Sequence, residues 1–394
     1  MAVLPLYIRV RNETKGRNIM KRILALIIVL AMVMVLFVGC SPSNQNNQET
    51  QGDQSNQSGQ DNQSNQADTG STDEVITLRV NNFAPAALPF GVGMEYAKEY
   101  IERESNGTIK VEMFHDGTLL GFNDTFQGVK QGVADIGIVG PAATDSVVTF
   151  NSVFTTMQKY LPADAQDVTD ACYELLEVVP ELQEEMETVG VRWLGLYSLF
   201  GSSIHCKGIK PVKPDDLKGV GIEALGGVSG YFALMGANAL TLDPADYYLS
   251  MERGVIQAQA IHWPGMDGYK ITELTDYHLM FGEDGGGIFF GIMGYIINKD
   301  TWYKLTPDQQ KIIWDGFRAG STLTIELDGP SAQNSYNYAV DNGQEFVYLS
   351  TPEQLAPWYD YIDQFNAQWV ERVSAAGFPA QSTLDKLQEL LAKY

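Results

Sequence analysis

Apolar positions along the chain recur with two periods, and the switches between them mark strands exchanging with helices. Val75–Asn81 (VITLRVN) alternates and predicts a strand. From Gly93 to Ser105, Met94, Ala97, Tyr100 and Ile101 share one helical face, and Asn106-Gly107 stops the helix. Thr108–Phe114 is a second strand, Asn123 opens a helix through Gln131, and Ala134–Val139 is a third strand ending at Gly140-Pro141. Residues 162–189 are helical, and Val191–Tyr197 is a strand that leaves this unit. The alternation then repeats over Pro214–Pro264. Strand Val220–Ala224 passes through Gly226 and Gly227 into helix Val228–Met235, and Ala239–Leu242 is strand-like. Asp243-Pro244 starts a helix that stops at Gly254, and Ile256–Ile261 alternates again. Two β-α-β-α-β runs predict a mostly parallel α/β fold in two lobes, with ligand chemistry in the crevice where strands end. Those ends include Glu223 and Ile261-His262-Trp263. A long helix is expected over Thr306–Asp328, with Pro307 in its first turn and Gly329-Pro330 at its end.

The first forty residues follow a different pattern. Lys21 and Arg22 precede an unbroken apolar run, Ile23–Val38, which ends at Gly39-Cys40. This is a secretory signal, with Met20 as its natural start, and the apolar run is short for a membrane span. Ending in Cys, it resembles a bacterial lipoprotein signal, which implies that Cys40 is lipidated and holds the mature protein on the outer face of a membrane. Ser41–Glu74 is almost all Ser, Asn, Gln, Asp, Gly and Thr and cannot bury enough apolar area to order itself. As a flexible coil it spans roughly 30–35 Å.

Charge narrows the partners. Lys+Arg number 26 and Asp+Glu 49, a net −23, which argues against nucleic acid. From Cys40 onward the balance is 20 against 48, or −28. Past the signal only Cys172 and Cys206 remain; a disulfide is permitted outside the cell, and two buried thiols fit equally. His115, His205, His262 and His278 have no metal-like spacing. Gly227-Val228-Ser229-Gly230 misses a nucleophile elbow because Tyr231 stands at the final Gly position. No cofactor, metal or catalytic step is expected.

Six stretches, in order, carry a resemblance: SNGTIKVEMFHDGTLLG, GVKQGVADIGIVGP, IKPVKPDDLKGVGI, GANALTLDPADYYLSMERGVI, WPGMDGYKITELTDYH and NKDTWYKLTPDQQKII. Together they are similar to the extracytoplasmic solute-binding proteins of TRAP (tripartite ATP-independent periplasmic) transporters, the DctP-like family, over about residues 75–325. The resemblance implies a two-lobe, periplasmic-binding-protein-like fold of the class II type, with a long lobe-spanning helix and a helical C-terminus. Lobe I takes residues 75–198 and 290–325, lobe II residues 199–289, and residues 326–394 pack across both. It also implies a small-molecule solute, delivered to the membrane subunits of a permease.

Two departures from the family pattern set the expected ligand. Most relatives carry an Arg on the strand after DLKG that grips a carboxylate; the matching residue here is Glu223. Like charges ~4 Å apart at an effective dielectric near 20 repel by about 4 kcal/mol, enough to invert preference. Near the end of the Val191–Tyr197 strand, where relatives often present another Arg, stand Tyr197, Ser198, Leu199 and Phe200. The expected contacts are Asn82, Phe83, Tyr197, Phe200, Glu223 and Trp263, with Asn82 equally suited to a turn and Trp263 to the core. An aromatic crevice with one carboxylate favours a cationic, zwitterionic or neutral solute. Carboxylate binding through another residue, or a stand-alone sensor lipoprotein, are the alternatives.

Overall fold

A computed structural model describes residues 75–394 except 142, 143, 145, 160, 163 and 283–286. The signal segment, Cys40, the polar tether, Gly285 and Gly286 lie outside the described residues.

Strands β1 (Ile76–Asn81), β2 (Ile109–Phe114) and β3 (Ile136–Val139) alternate with helices α1 (Pro89–Glu104) and α2 (Thr125–Lys130). Helices α3 (Ala165–Val178) and α4 (Glu181–Thr188) lead into β4 (Val191–Cys206). The second run is β5 (Gly221–Ala224), α5 (Ser229–Leu234), β6 (Asn238–Leu240), α6 (Tyr247–Glu252) and β7 (Ala258–His262). Then follow α7 (Trp263–Gly268), β8 (Tyr277–Phe281), β9 (Phe289–Asn298), α8 (Lys299–Lys304) and α9 (Pro307–Asp341). Last come β10 (Glu345–Leu349), α10 (Pro352–Ala375) and α11 (Ala380–Leu391).

The strand order is β2-β1-β3-β9-β4-β7-β5-β6. β1 is parallel to β2 and β3, and β5 is parallel to β6 and β7, so each run builds a small parallel sheet. Antiparallel β4 and β9 join the two sheets. The first part of β4 pairs with β9 from Val191 to Ser198, and its last part pairs with β7 and β8. The register shifts between Ser198 and Gly201, where β4 passes from one sheet to the other. Just before β9, Gly287 runs against β4: a Cβ there would lie 2.5 Å from the Ser202 backbone, and φ is 87°.

Three differences from expectation have physical causes. Val191–Tyr197 continues to Cys206 as one 16-residue strand, because every residue from Ser202 to Cys206 stays buried where it pairs with β7 and β8. α9 does not stop at Gly329-Pro330 but runs 35 residues through Pro330. Its buried stripe, Phe317, Ser321, Thr324, Asp328, Ala332, Ser335 and Ala339, steps by four and three on both sides of the proline. Packing along that whole stripe outweighs the ~3 kcal/mol that an interior proline costs. Finally, the C-terminal region is not wholly helical: β10 pairs in parallel with β8.

Where α1 crosses α9 the backbones touch. A Cβ on Gly320 would stand 2.4 Å from the Gly93 carbonyl oxygen, and one on Gly93 would stand 2.5 Å from that of Gly320. α10 places Trp358 and Ile362 in the core beneath β5 and β8, and Trp369 and Val373 in the core beneath β3 and β4. Cys172 and Cys206 are buried free thiols in different core clusters. Among the described residues, no helix is long and apolar enough to cross a membrane.

Candidate functional site

The C-terminal ends of β1, β5 and β7 open on one cavity of about 70 Å³ that is partly open to solvent. Phe83 comes from the turn after β1, Phe90 from α1 and Phe122 from the loop before α2. From the other run come Glu223 on β5, Tyr247 on α6, His262 on β7 and Tyr269 after α7. The joining strands supply Leu199 and Ser202 on one side and Phe289 and Met293 on the other. α9 adds Asp328. Both sheets and the segments between them therefore share the wall, as a site at a strand-order switch requires.

The wall is mostly apolar and aromatic. Phe83 lies edge-on to Phe122, ring centroids 4.7 Å apart, and tilts against Phe90 at 5.8 Å. Tyr247 and Tyr269 meet edge-to-face at 5.3 Å. Among the lining residues there is no Lys or Arg. Arg79 pairs with Asp135 at 3.1 Å and Arg192 with Glu187, away from this wall.

Two carboxyl groups interrupt the apolar surface. Glu223 is 1% exposed; its Oε2 accepts a hydrogen bond from Gln259 Nε2 at 2.8 Å, and its Oε1 has no partner. Strand register sets this up, because Glu223 on β5 lies directly beside Gln259 on β7. Burial pushes the Glu223 carboxyl up to about 8, tempered by Gln259, the nearby Tyr247 hydroxyl and the Leu242 backbone. Asp328 is 2% exposed, its Oδ2 lacks a partner, and burial alone pushes it up to about 8. His262 is held down at about 4 by burial and stays neutral. At neutral pH the empty cavity therefore keeps both acids largely protonated, and an entering positive charge would ionise them. Among the described residues, no three His, Cys, Asp or Glu side chains gather to hold a metal ion.

Of the expected contacts, Phe83 and Glu223 line the cavity; Asn82, Tyr197, Phe200 and Trp263 do not. Asn82 is fully buried and builds the turn after β1: its Nδ2 donates to the Ala84 carbonyl at 2.9 Å, and its Oδ1 accepts from the Ala84 N–H at 3.1 Å. Tyr197 points into the core, 5.5 Å from the Tyr295 ring, because an alternating strand turns successive side chains to opposite faces. Phe200 packs half-buried against that same core. Trp263 lies behind the wall among His205, His278, Tyr336 and Phe346, with ring centroids 4.6 to 6.0 Å away. The largest omission is Asp328, whose signal was the 4-3-4 spacing that puts it on one stripe with Phe317, Ser321 and Thr324.

The model of the DctP family, bacterial extracellular solute-binding protein family 7, matches residues 80–372. The chain belongs to this family. Uncharacterized protein YiiZ of Salmonella typhimurium is 23% identical over 252 residues, 60% of this chain and 71% of its own length. Among solved structures, a marine metagenome TRAP solute-binding protein specific for aromatic acid ligands, in complex with metahydroxyphenylacetate, is 20% identical. It covers 81% of this chain and 99% of its own, with a TM-score of 0.71. A Rhodoferax ferrireducens TRAP solute-binding protein in complex with copurified benzoate is 21% identical, covering 81% and 98%, with a TM-score of 0.70. An Anaerococcus prevotii TRAP periplasmic solute-binding protein with bound D-glucuronate is 17% identical, covering 81% and 99%, also at 0.70. These likenesses establish the two-lobed α/β fold. Within the DctP family, whose members are solute-binding proteins, this chain's cavity carries two buried acids and, among the described residues, no Lys or Arg on its wall.

Proposed function

We propose that this DctP-family protein is the receptor of a TRAP-type secondary transporter for a cationic or zwitterionic solute with an apolar or aromatic body. It releases that solute to the membrane subunits of a permease. One observation carries the choice of solute: a wall with two buried acids, each with an oxygen that makes no hydrogen bond of ordinary geometry, and no Lys or Arg among its described residues. An ammonium group gives those oxygens a partner, and the surrounding rings add cation–π attraction of ~0.5–2 kcal/mol each when desolvated. A carboxylate solute meets no fixed positive charge there.

The lipidated Cys40 and the polar residues 41–74 belong to the same proposal, as a tether that lets the receptor reach its permease while staying at the outer surface. The protein itself then binds and releases without a chemical step.

A second reading follows from the protonated state of the two acids. Neutral carboxyls donate hydrogen bonds, so an organic acid such as those bound by the structural relatives could be held without an Arg. Thermal-shift measurements with phenethylamine and phenylacetate separate the two. Stabilisation by the amine alone supports the cationic reading; stabilisation by the acid alone replaces it with the second. A ligand at 100 times its dissociation constant adds about 2.7 kcal/mol, well within the range of the assay.

A further inference from the structure

Resting on the cationic reading, we propose that the preferred solute is an α,ω-diamine, with one ammonium group on Glu223, the other on Asp328, and its apolar middle against the aromatic wall. The two carboxyls come from independent elements, β5 and α9, yet line the same cavity. Each is at least 98% buried; Asp328 Oδ2 has no partner, and Glu223 Oε1 makes no hydrogen bond of ordinary geometry, with only the Tyr247 hydroxyl and the Leu242 backbone near that carboxyl besides Gln259. A single unpartnered acid asks for one donor; two on one wall ask for two. The surface around them is apolar, with Phe83, Phe122, Tyr247 and Phe289 placed for a hydrocarbon or aromatic spacer.

Other ligand classes leave one acid protonated. A monoamine pairs with one carboxyl, and the second keeps its proton and contributes nothing. A zwitterion pairs its ammonium with one acid, and its carboxylate at most accepts a hydrogen bond from the second acid, which keeps its proton. A diamine satisfies both.

Proton exchange counts how many acids a ligand engages. Burial holds both carboxyls up at about 8, so at neutral pH each must release its proton to pair with an ammonium. Asp243 is a further acid facing Tyr247 and Tyr269; the histidine and tyrosines nearest the two carboxyls stay neutral over the same range. His262 is pushed down to about 4, and Tyr247, Tyr269 and Tyr197 are pushed above their ordinary range. A diamine therefore releases about two protons on binding at pH 7 and a monoamine about one. Below pH 8, diamine affinity climbs about 100-fold per pH unit and monoamine affinity about tenfold.

The test is isothermal titration calorimetry in buffers of different ionisation enthalpy, which yields affinity and proton release together. Ligands are cadaverine, 1,8-diaminooctane and p-xylylenediamine against pentylamine, octylamine and benzylamine. At least one diamine should bind tenfold or more tighter than its monoamine partner and release about two protons. Glu223→Gln and Asp328→Asn, made separately, should each reduce that count to about one. Two different elements are altered, so misfolding of one variant leaves the other to decide. Monoamines binding as tightly as diamines, with one proton released by both, would overturn the diamine proposal and leave the cationic reading standing. Binding of phenylacetate with no response to any amine would overturn both.

Discussion

Replacing Glu223 with Gln should make the empty protein more stable, by an amount that depends on pH. The carboxyl is buried, its ordinary value of 4.5 is pushed up to about 8, and Oε1 has no hydrogen-bond partner. The native state thus holds a proton that the unfolded chain releases near pH 4.5. The penalty is absent below pH 4.5, grows as pH rises and is complete above pH 8. At about 1.4 kcal/mol per unit, a rise from 4.5 to about 8 amounts to ~5 kcal/mol at most, and to ~2 kcal/mol at pH 6. Glutamine keeps the shape and still accepts from Gln259 Nε2, while its new amide N–H faces the Tyr247 side. Asp328, His262 and His278 titrate alike in both proteins, so the difference between them isolates Glu223. Urea denaturation of the ligand-free wild type and Glu223→Gln at pH 5, 6, 7 and 8 reads this directly. The variant's advantage should widen by about 1.4 kcal/mol per pH unit across that range. Curves that keep a constant separation would show that Glu223 ionises freely in the native state and is not held protonated by burial.

Two other substitutions test the frame around the site. Gly320→Ala puts a methyl 2.4 Å from the Gly93 carbonyl oxygen, so α1 and α9 must part; a loss of roughly 1–3 kcal/mol in denaturation is expected, and no loss would mean the helices do not cross that closely. Trp263→Leu should cost roughly 3 kcal/mol of stability, since Trp263 fills the space between His205 and Phe346, while solute affinity changes less than about threefold. An affinity collapse in a stably folded Trp263→Leu protein would put that ring on the cavity wall.

The elements of the fold were legible in the sequence because most of them are read from local periodicity. The alternation of Val75–Asn81, the helical face of Met94, Ala97 and Ile101, and the Asp243-Pro244 start each match an observed element closely. What local pattern cannot carry is a tertiary override. Pro330 is a stop signal on its own, yet the seam of small and polar residues beyond it packs so continuously that α9 passes through. The same helix hid Asp328: a polar residue next to Gly-Pro reads as a helix end, and only its phase with Thr324 and Ser321 marks it as buried. At the site, Glu223 was identifiable from its place at a strand end, and Phe83 from the turn after β1. Tyr197 and Trp263 were misplaced because an aromatic near a strand end can face the crevice or the core, and residue type is the same in both. Here β4 continues nine residues past Tyr197, to Cys206, so Tyr197 sits mid-strand on the core face.

The most direct measurement is calorimetric titration of phenethylamine and phenylacetate into the wild type and into Glu223→Arg. If a buried carboxyl stands where a basic residue would hold an acid, the wild type binds the amine and not the acid, and Glu223→Arg binds the acid and not the amine. A wild type that takes phenylacetate, or a Glu223→Arg protein with unchanged preference, would contradict the account.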